Sequence, residues 1–159
     1  MKIQTRRFGE IEIEEEKIIR MIKPILGFES LKKFFLVEAE EMSPFMWLQS
    51  VEDPIIAFIV VNPRVFYPDY KIEVNRREVA EIGLTNVETV ETYVVATIPD
   101  DPTKLSLNLQ GPIIVNTENR AAKQLVMVDS KYKISHFLFE ELSIEEEAEK
   151  EIESHPVGV

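Results

Sequence analysis

The stretch Trp47-Leu-Gln-Ser-Val-Glu-Asp-Pro-Ile-Ile-Ala-Phe-Ile-Val-Val-Asn-Pro-Arg-Val-Phe-Tyr-Pro-Asp-Tyr70 decides the fold. It holds a strand, a Glu52-Asp53-Pro54 turn, a second strand and an aromatic exit closed by prolines. Ile55 to Val61 is an unbroken apolar run rich in β-branched residues, too short for a helix of ordinary length. Such a run is apolar on both faces, so this strand is expected to be central and covered twice. After Asn62-Pro63 the chain presents Phe66, Tyr67 and Tyr70 between two prolines. A loop so constrained buries three aromatic rings with difficulty, and some of them are expected to line a surface groove.

Working outward, period-2 alternation dominates. Lys2-Ile-Gln-Thr and Glu10-Ile-Glu-Ile-Glu flank Gly9 as the arms of an opening hairpin, with Ile11 and Ile13 inward and the glutamates in water. Phe34 to Ala39 and Phe45 to Val51 are further strands. So are Thr89 to Ile98, Leu105 to Leu109, Pro112 to Asn116, Lys123 to Val128 and a last one around Lys133 to Phe139. Before that last one the count is about nine strands, with Pro99-Asp-Asp-Pro102 and Thr117-Glu-Asn-Arg120 as turns. Gly27 and Gly111 interrupt apolar sequence and mark tight bends or bulges. Asn75 to Gly83 carries an Asn cap, a Glu three residues on and a terminal Gly, the pattern of a short helix. Many short strands are buried most economically in a closed or half-closed barrel, which removes exposed edges. The expectation is a mostly β, single-domain barrel over 1–142 with one or two short helices. Residues 143–159 form an acidic tail, helical from Ser143 to Ile152 or disordered.

At 159 residues the chain suits one domain with a real core. No apolar run approaches the roughly 18 to 20 residues of a membrane span, and the charged start does not read as a signal peptide, so a cytoplasmic protein is expected. Zero cysteines exclude disulfides and thiolate metal sites. The formal net charge is −11, and residues 140–159 supply eight Glu against one Lys. Such a chain repels phosphate backbones and suits a basic protein partner, although negative charge also simply maintains solubility. Arg6-Arg7, Lys32-Lys33 and Arg76-Arg77 are scattered pairs on an acidic background and read as solvated faces.

Catalytic patterns are sparse. His136 and His155 are the only histidines, too few for a His-based metal site. Asp100-Asp101 sits between prolines as a turn, and neighbours such as Glu40-Glu41 or Glu140-Glu141 on a strand point to opposite faces. No G-x-S-x-G elbow and no glycine-rich phosphate loop occurs. Neither a cofactor nor a metal is expected. Met42, Met46, Trp47, Phe66, Tyr67 and Tyr70 gather at strand ends, where Met and aromatic residues serve core or binding groove equally.

A set of motifs in fixed order resembles the bacterial flagellar assembly factor FliW family. They are Gly27-Phe28, Leu48-Gln49-Ser50, Asp53-Pro54, Asn62-Pro63, Pro68-Asp69-Tyr70, Asn108-Leu109, Gly111-Pro112-Ile113, Asn116, Asn119-Arg120 and Gln124. Together they span about residues 3 to 135. One departure is Pro24-Ile-Leu-Gly-Phe28, where the family commonly has Gly-Leu-Pro-Gly-Phe. The resemblance implies a small cytoplasmic β-barrel without enzymatic activity. It implies chaperone-like binding of flagellin and binding of the translational repressor CsrA, the two being alternatives. On this reading partner contacts come from Asn62, Pro63, Phe66, Tyr67, Asp69 and Tyr70 and from the bend at Gly111, Pro112, Ile113 and Asn116. Gly111 is expected to serve backbone geometry, and Asn62 and Asn116 to tie their loops. Monomer is favoured.

Two other readings stand beside it. A small-ligand-binding barrel, possibly hydrolytic, would use Asp69, Tyr70 and His136 in an enclosed pocket. An RNA-binding barrel would bind bare RNA with steep salt dependence.

Overall fold

A computed structural model describes residues 1–73, 76–83, 89–128 and 131–139. Eleven strands are present among them: β1 (Lys2–Thr5), β2 (Gly9–Glu12), β3 (Ile19–Lys23), β4 (Lys33–Glu38), β5 (Met46–Ser50), β6 (Ala57–Val61), β7 (Val90–Thr97), β8 (Ser106–Leu107), β9 (Ile113–Asn116), β10 (Ala121–Gln124) and β11 (His136–Phe137). One short helix, α1, covers Arg76–Ala80. Its expected Asn75 cap lies outside the described residues, as do Glu140-Glu141, the tail 143–159 and His155.

The strands β7-β6-β5-β4-β3-β10-β9 form a consecutive ladder, and a further β7–β9 pairing closes it into a seven-stranded barrel. Closure satisfies the backbone groups that an open edge would leave unpaired. β8 and β11 extend the sheet outside the closed ring, and β1 and β2 form a separate hairpin. All pairings in the barrel are antiparallel except β3 with β10, which join Arg20 to Ala121 in parallel. The mostly β barrel expected from alternation is therefore the observed architecture.

Alternation decides what each strand buries. Ile19, Met21, Phe34, Leu48, Val60, Tyr93, Ile113, Val115 and Ala122 point into the barrel and form one core. The intervening residues of β6 and β7, Val61, Val94 and Ala96, turn outward against Leu107, Leu109, Met127, Tyr70 and Leu138. β6 is thus covered on both faces, but only at its end: Val60 and Val61 are fully buried, Ala57 to Ile59 are half-buried and Ile55 is exposed. The outer layer is short because β8 and the 105–109 segment cover only the last part of the strand.

Differences from the sequence reading have local causes. β3 carries no alternation signal in the sequence, because Arg20 and Lys23 leave only Ile19 and Met21 as an inward pair. The strand expected over 123–128 is regular only as Ala121–Gln124, after which Leu125 and Met127 bond outward to the carbonyls of Pro112 and Gln110. Its first lysine is buried. Lys123 Nζ reaches Glu78 Oε2 at 2.7 Å and Glu81 Oε2 at 2.8 Å, and donates to the Glu78 carbonyl at 2.9 Å. These contacts pin α1 to the barrel, and hydrogen bonding to Lys123 holds both glutamates below the usual carboxylate range. The Asp100-Asp101 turn is as read: Asp101 caps Pro102–Lys104 by accepting from Thr103 N at 3.0 Å.

Candidate functional site

Two grooves take up half of the residues singled out above: Phe66, Tyr67, Asp69 and Tyr70 line one, and Gly111 the other. The first is built by the exit from β6. Asn62 Oδ1 accepts from Arg64 N at 3.0 Å and so starts a tight turn at Pro63. Successive turns follow, Tyr67 N to Pro63 O and Tyr70 N to Tyr67 O, both at 2.9 Å. This winding turns Tyr70 inward. Its ring is buried against Tyr132, with centroids 4.6 Å apart, and its hydroxyl donates to Leu109 O at 2.7 Å. Burial and the neighbouring Tyr132 push the Tyr70 phenol well above its ordinary range, and the Arg64 guanidinium opposes this only in part. Phe66 packs on Phe45 and Tyr67 meets His136 edge-on, both rings half-buried. Phe66 to Tyr70, Lys131, Tyr132 and His136 line an open groove of about 630 Å³.

This groove contains all three residues of the hydrolytic alternative. Its openness and the Tyr70 hydroxyl speak against that chemistry. A phenol committed to a buried carbonyl, with its pKa raised, offers neither a free proton donor nor a phenolate near neutral pH.

The second groove forms where the Gly111 bend meets the loop before β4. Asn108 Oδ1 accepts from Gly111 N at 3.0 Å, and Gln124 Nε2 donates to Gly111 O at 3.0 Å. The other end of the same amide, Gln124 Oε1, accepts from Leu26 N at 2.8 Å. A Cβ on residue 111 would lie 2.9 Å from both amide nitrogens, so glycine serves close approach here rather than a left-handed backbone angle. The groove has a volume of about 430 Å³, with Phe28 and Phe58 edge-to-face on its wall at 4.9 Å.

The sequence-derived residues thus divide by exposure. Asn62 and Asp69 are exposed, and Phe66 and Tyr67 are half-buried. Pro63, Tyr70, Gly111, Pro112, Ile113 and Asn116 are buried. Asn116 ties two loops, donating from Nδ2 to Ile82 O and accepting at Oδ1 from Glu118 N, each at 3.0 Å. Residues that the sequence reading did not assign complete both grooves, among them Leu26, Phe58, Val126, Lys131, Tyr132 and Ile134. Each comes from a segment distant in sequence from the motif it joins, so no local pattern marks it.

Met46 sits elsewhere, with Glu38, Glu40, Pro44 and Phe45 around an open depression of about 600 Å³. Trp47 lies on the outer face under Arg7, whose guanidinium is 3.8 Å from the ring centroid, and donates to Met42 Sδ at 3.0 Å. Among the described residues no group of three His, Asp or Glu side chains is placed to hold a metal ion. Nor is any helix there long and apolar enough to cross a membrane.

Comparison with known proteins gives a consistent result. Residues 2–138 match the family model described as FliW protein. The flagellar assembly factor FliW of Caldicellulosiruptor saccharolyticus is 40% identical over 141 residues, covering 89% of this chain and 92% of that protein. Its counterpart in Leptospira interrogans is 36% identical over 146 residues, covering 91% and 97%. A crystal structure of the flagellar assembly factor FliW superposes with a TM-score of 0.81 at 35% identity, covering 87% of this chain and 97% of that one.

Proposed function

The chain belongs to the FliW family, and from that premise we propose that it binds flagellin in the manner of a chaperone and binds the translational repressor CsrA as the alternative partner, relieving repression of flagellin synthesis. The observation that carries this reading is the family match along nearly the whole barrel. The geometry supports it in kind. Open grooves with half-buried aromatic rings on a closed scaffold suit a polypeptide partner better than a small substrate, which is usually enclosed. The acidic balance suits CsrA, a basic RNA-binding protein.

On this reading the protein works in the cytoplasm, as a monomer, without enzymatic activity or cofactor. Asn62, Phe66, Tyr67 and Asp69 touch a partner directly. Pro63, Tyr70, Gly111, Pro112, Ile113 and Asn116 hold the shape that presents them. The test is a pull-down with purified flagellin and with CsrA, together with a gel shift on flagellin leader RNA. The protein alone leaves the RNA unshifted, and its addition dissolves the CsrA–RNA complex. Binding to neither protein at micromolar concentration would refute the proposal.

A further inference from the structure

The hairpin of β1 and β2 stands outside the barrel as a sheet of two strands, so closure does not remove its edges. Its ladder fixes which backbone groups face outward. Met1 N donates to Ile13 O at 3.1 Å and Ile13 N to Met1 O at 2.9 Å, so these two residues form a hydrogen-bonded pair. Such pairs alternate along an antiparallel ladder, which makes Ile3 with Ile11 and Thr5 with Gly9 the next two. The N–H and C=O groups of Glu10 and Glu12 therefore point away from β1. Among the described residues none of these four groups has a hydrogen-bond partner. On the opposite edge the row is interrupted, because Arg6 N, just after β1, donates to Pro54 O at 2.9 Å.

The open edge of β2 is held in place from behind. Ile3 and Thr5 are buried, Phe8 meets the Trp47 ring edge-on at 6.2 Å, and the Arg7 guanidinium covers the same ring. A two-stranded hairpin is marginal by itself, and these contacts lend it the support of the barrel. An edge fixed in advance loses little conformational freedom on binding. Ile11 stands opposite buried Ile3 and so turns to the barrel side, whereas Glu10 and Glu12 lie on the exposed face.

Charge decides what this edge can accept. Glu10, Glu12, Glu14, Glu15 and Glu16 crowd β2 and the turn after it. Their compensation is incomplete. Glu10 accepts from Gln4 Nε2 at 2.7 Å and lies 3.7 Å from Lys2 Nζ, and Glu12 Oε1 accepts from the Met1 ammonium at 2.8 Å. The carboxylates of Glu14, Glu15 and Glu16 meet no cation at ion-pair distance among the described residues. Like charges directly opposite each other destabilise a strand pair, so β2 against β2 of a second copy sets glutamate against glutamate. The same row favours a strand with cationic side chains. We propose that β2 is an acceptor edge for an extended basic segment of a protein partner, which adds to the hairpin as a third strand. Main-chain bonds to Glu10 and Glu12 fix its register, and the glutamates select its charge. The segment reads basic, aliphatic, basic: Lys or Arg opposite Glu10 and Glu12, and an apolar residue between them on the side of Ile11. This stands independently of the role proposed above.

The test titrates a capped peptide of alternating Lys and Val into the 15N-labelled full chain. Amide shifts centred on residues 9–14 are expected, with slower hydrogen exchange at the Glu10 and Glu12 amides. The Ile3 and Ile11 amides, already in the ladder, keep their rates. The same peptide N-methylated throughout keeps its charge but cannot donate to a strand edge, and it binds at least about tenfold more weakly. Equal affinity of the N-methylated peptide, or no protection of Glu10 and Glu12, overturns the proposal. A peptide of alternating Glu and Val that binds as tightly overturns the choice of a basic occupant.

Two variants locate the edge. Glu12→Pro removes an outward donor that the ladder does not use, as prolines on edge strands do, and is expected to lose the Lys–Val peptide. Gln4→Pro makes the equivalent change on the β1 edge and keeps it. Binding retained by Glu12→Pro overturns the proposal. So does a wild-type dimer that Glu12→Pro converts to a monomer, which assigns the edge to a second copy. Should either variant fail to fold, the paired peptides on the wild-type chain still decide the question.

Discussion

Gly111→Ala tests whether the second groove is held by close packing of two amides. The new Cβ lies 2.9 Å from Asn108 Nδ2 and from Gln124 Nε2, and 3.3 Å from Asn108 Oδ1. Ordinary carbon–nitrogen contact starts several tenths of an ångström further out. Each amide is the end of a flexible side chain, which alone would make the adjustment cheap. Neither is free, however: Asn108 accepts from Gly111 N, and Gln124 bridges Gly111 O and Leu26 N. Retreat from the methyl stretches up to three hydrogen bonds, each worth about 1 kcal/mol net.

Against this, alanine reduces the freedom of the unfolded chain by about 0.4–1 kcal/mol, because residue 111 is not in the left-handed region. The balance is a destabilisation of about 1–2 kcal/mol, within the range for overpacked sites. Urea unfolding followed by the single tryptophan, Trp47, reads it as a midpoint lower by about 0.5–1 M. In a Gln124→Ala background one of the two clashes is already gone, so the same substitution costs markedly less. A midpoint equal to or above that of the wild type, or strict additivity with Gln124→Ala, would refute the packing argument.

Four further outcomes are expected. Tyr70→Phe leaves the buried Leu109 carbonyl without its donor and lowers stability by about 1–3 kcal/mol in the same urea assay. Burial raises the phenols of Tyr70 and Tyr93, so their contribution is whole below the unfolded value near 10 and is lost as pH climbs beyond it. A thermal-melting series from neutral to alkaline pH shows that fall, and Tyr70→Phe makes it shallower. On the acid side, Glu78 and Glu81 are lowered by Lys123, so their stabilisation is present above the ordinary carboxylate value and disappears on acidification through their depressed values. Lys123→Met flattens that acid limb, and an unaltered limb would show that the ion pairs do not contribute. On the proposed reading, Asp69→Lys, at an exposed groove position, slows association with CsrA in stopped-flow mixing while leaving the urea midpoint unchanged.

Fold class was legible because strand periodicity survives in single stretches. Met46 to Ser50 and Ala57 to Val61, with Asp53-Pro54 between them, announce an antiparallel pair without any other part of the chain. The Asp101 turn is equally local, being written in a capping carboxylate and the proline after it. β3 was hidden because its two inward residues stand among lysines and arginines. Of the grooves, the exit-loop aromatics could be named as a group, but not sorted. Tyr70 differs from Phe66 and Tyr67 because distant segments receive it: Tyr132 packs on its ring and Leu109, 39 residues away, accepts from its hydroxyl.

By itself, then, the sequence determined that this is a β protein, where its turns fall, and which loop is rich in aromatic residues. These are short-range properties, set by side-chain alternation and by the backbone limits of proline and glycine. Tertiary structure decided closure and the second groove. Parallel pairing of β3 with β10 brings Leu26 to Gln124 across 98 residues, and only that contact makes Gly111 the floor of a site instead of one more bend. The physical reason is that closure depends on backbone groups, which every residue carries alike, so no residue type announces which strands will meet.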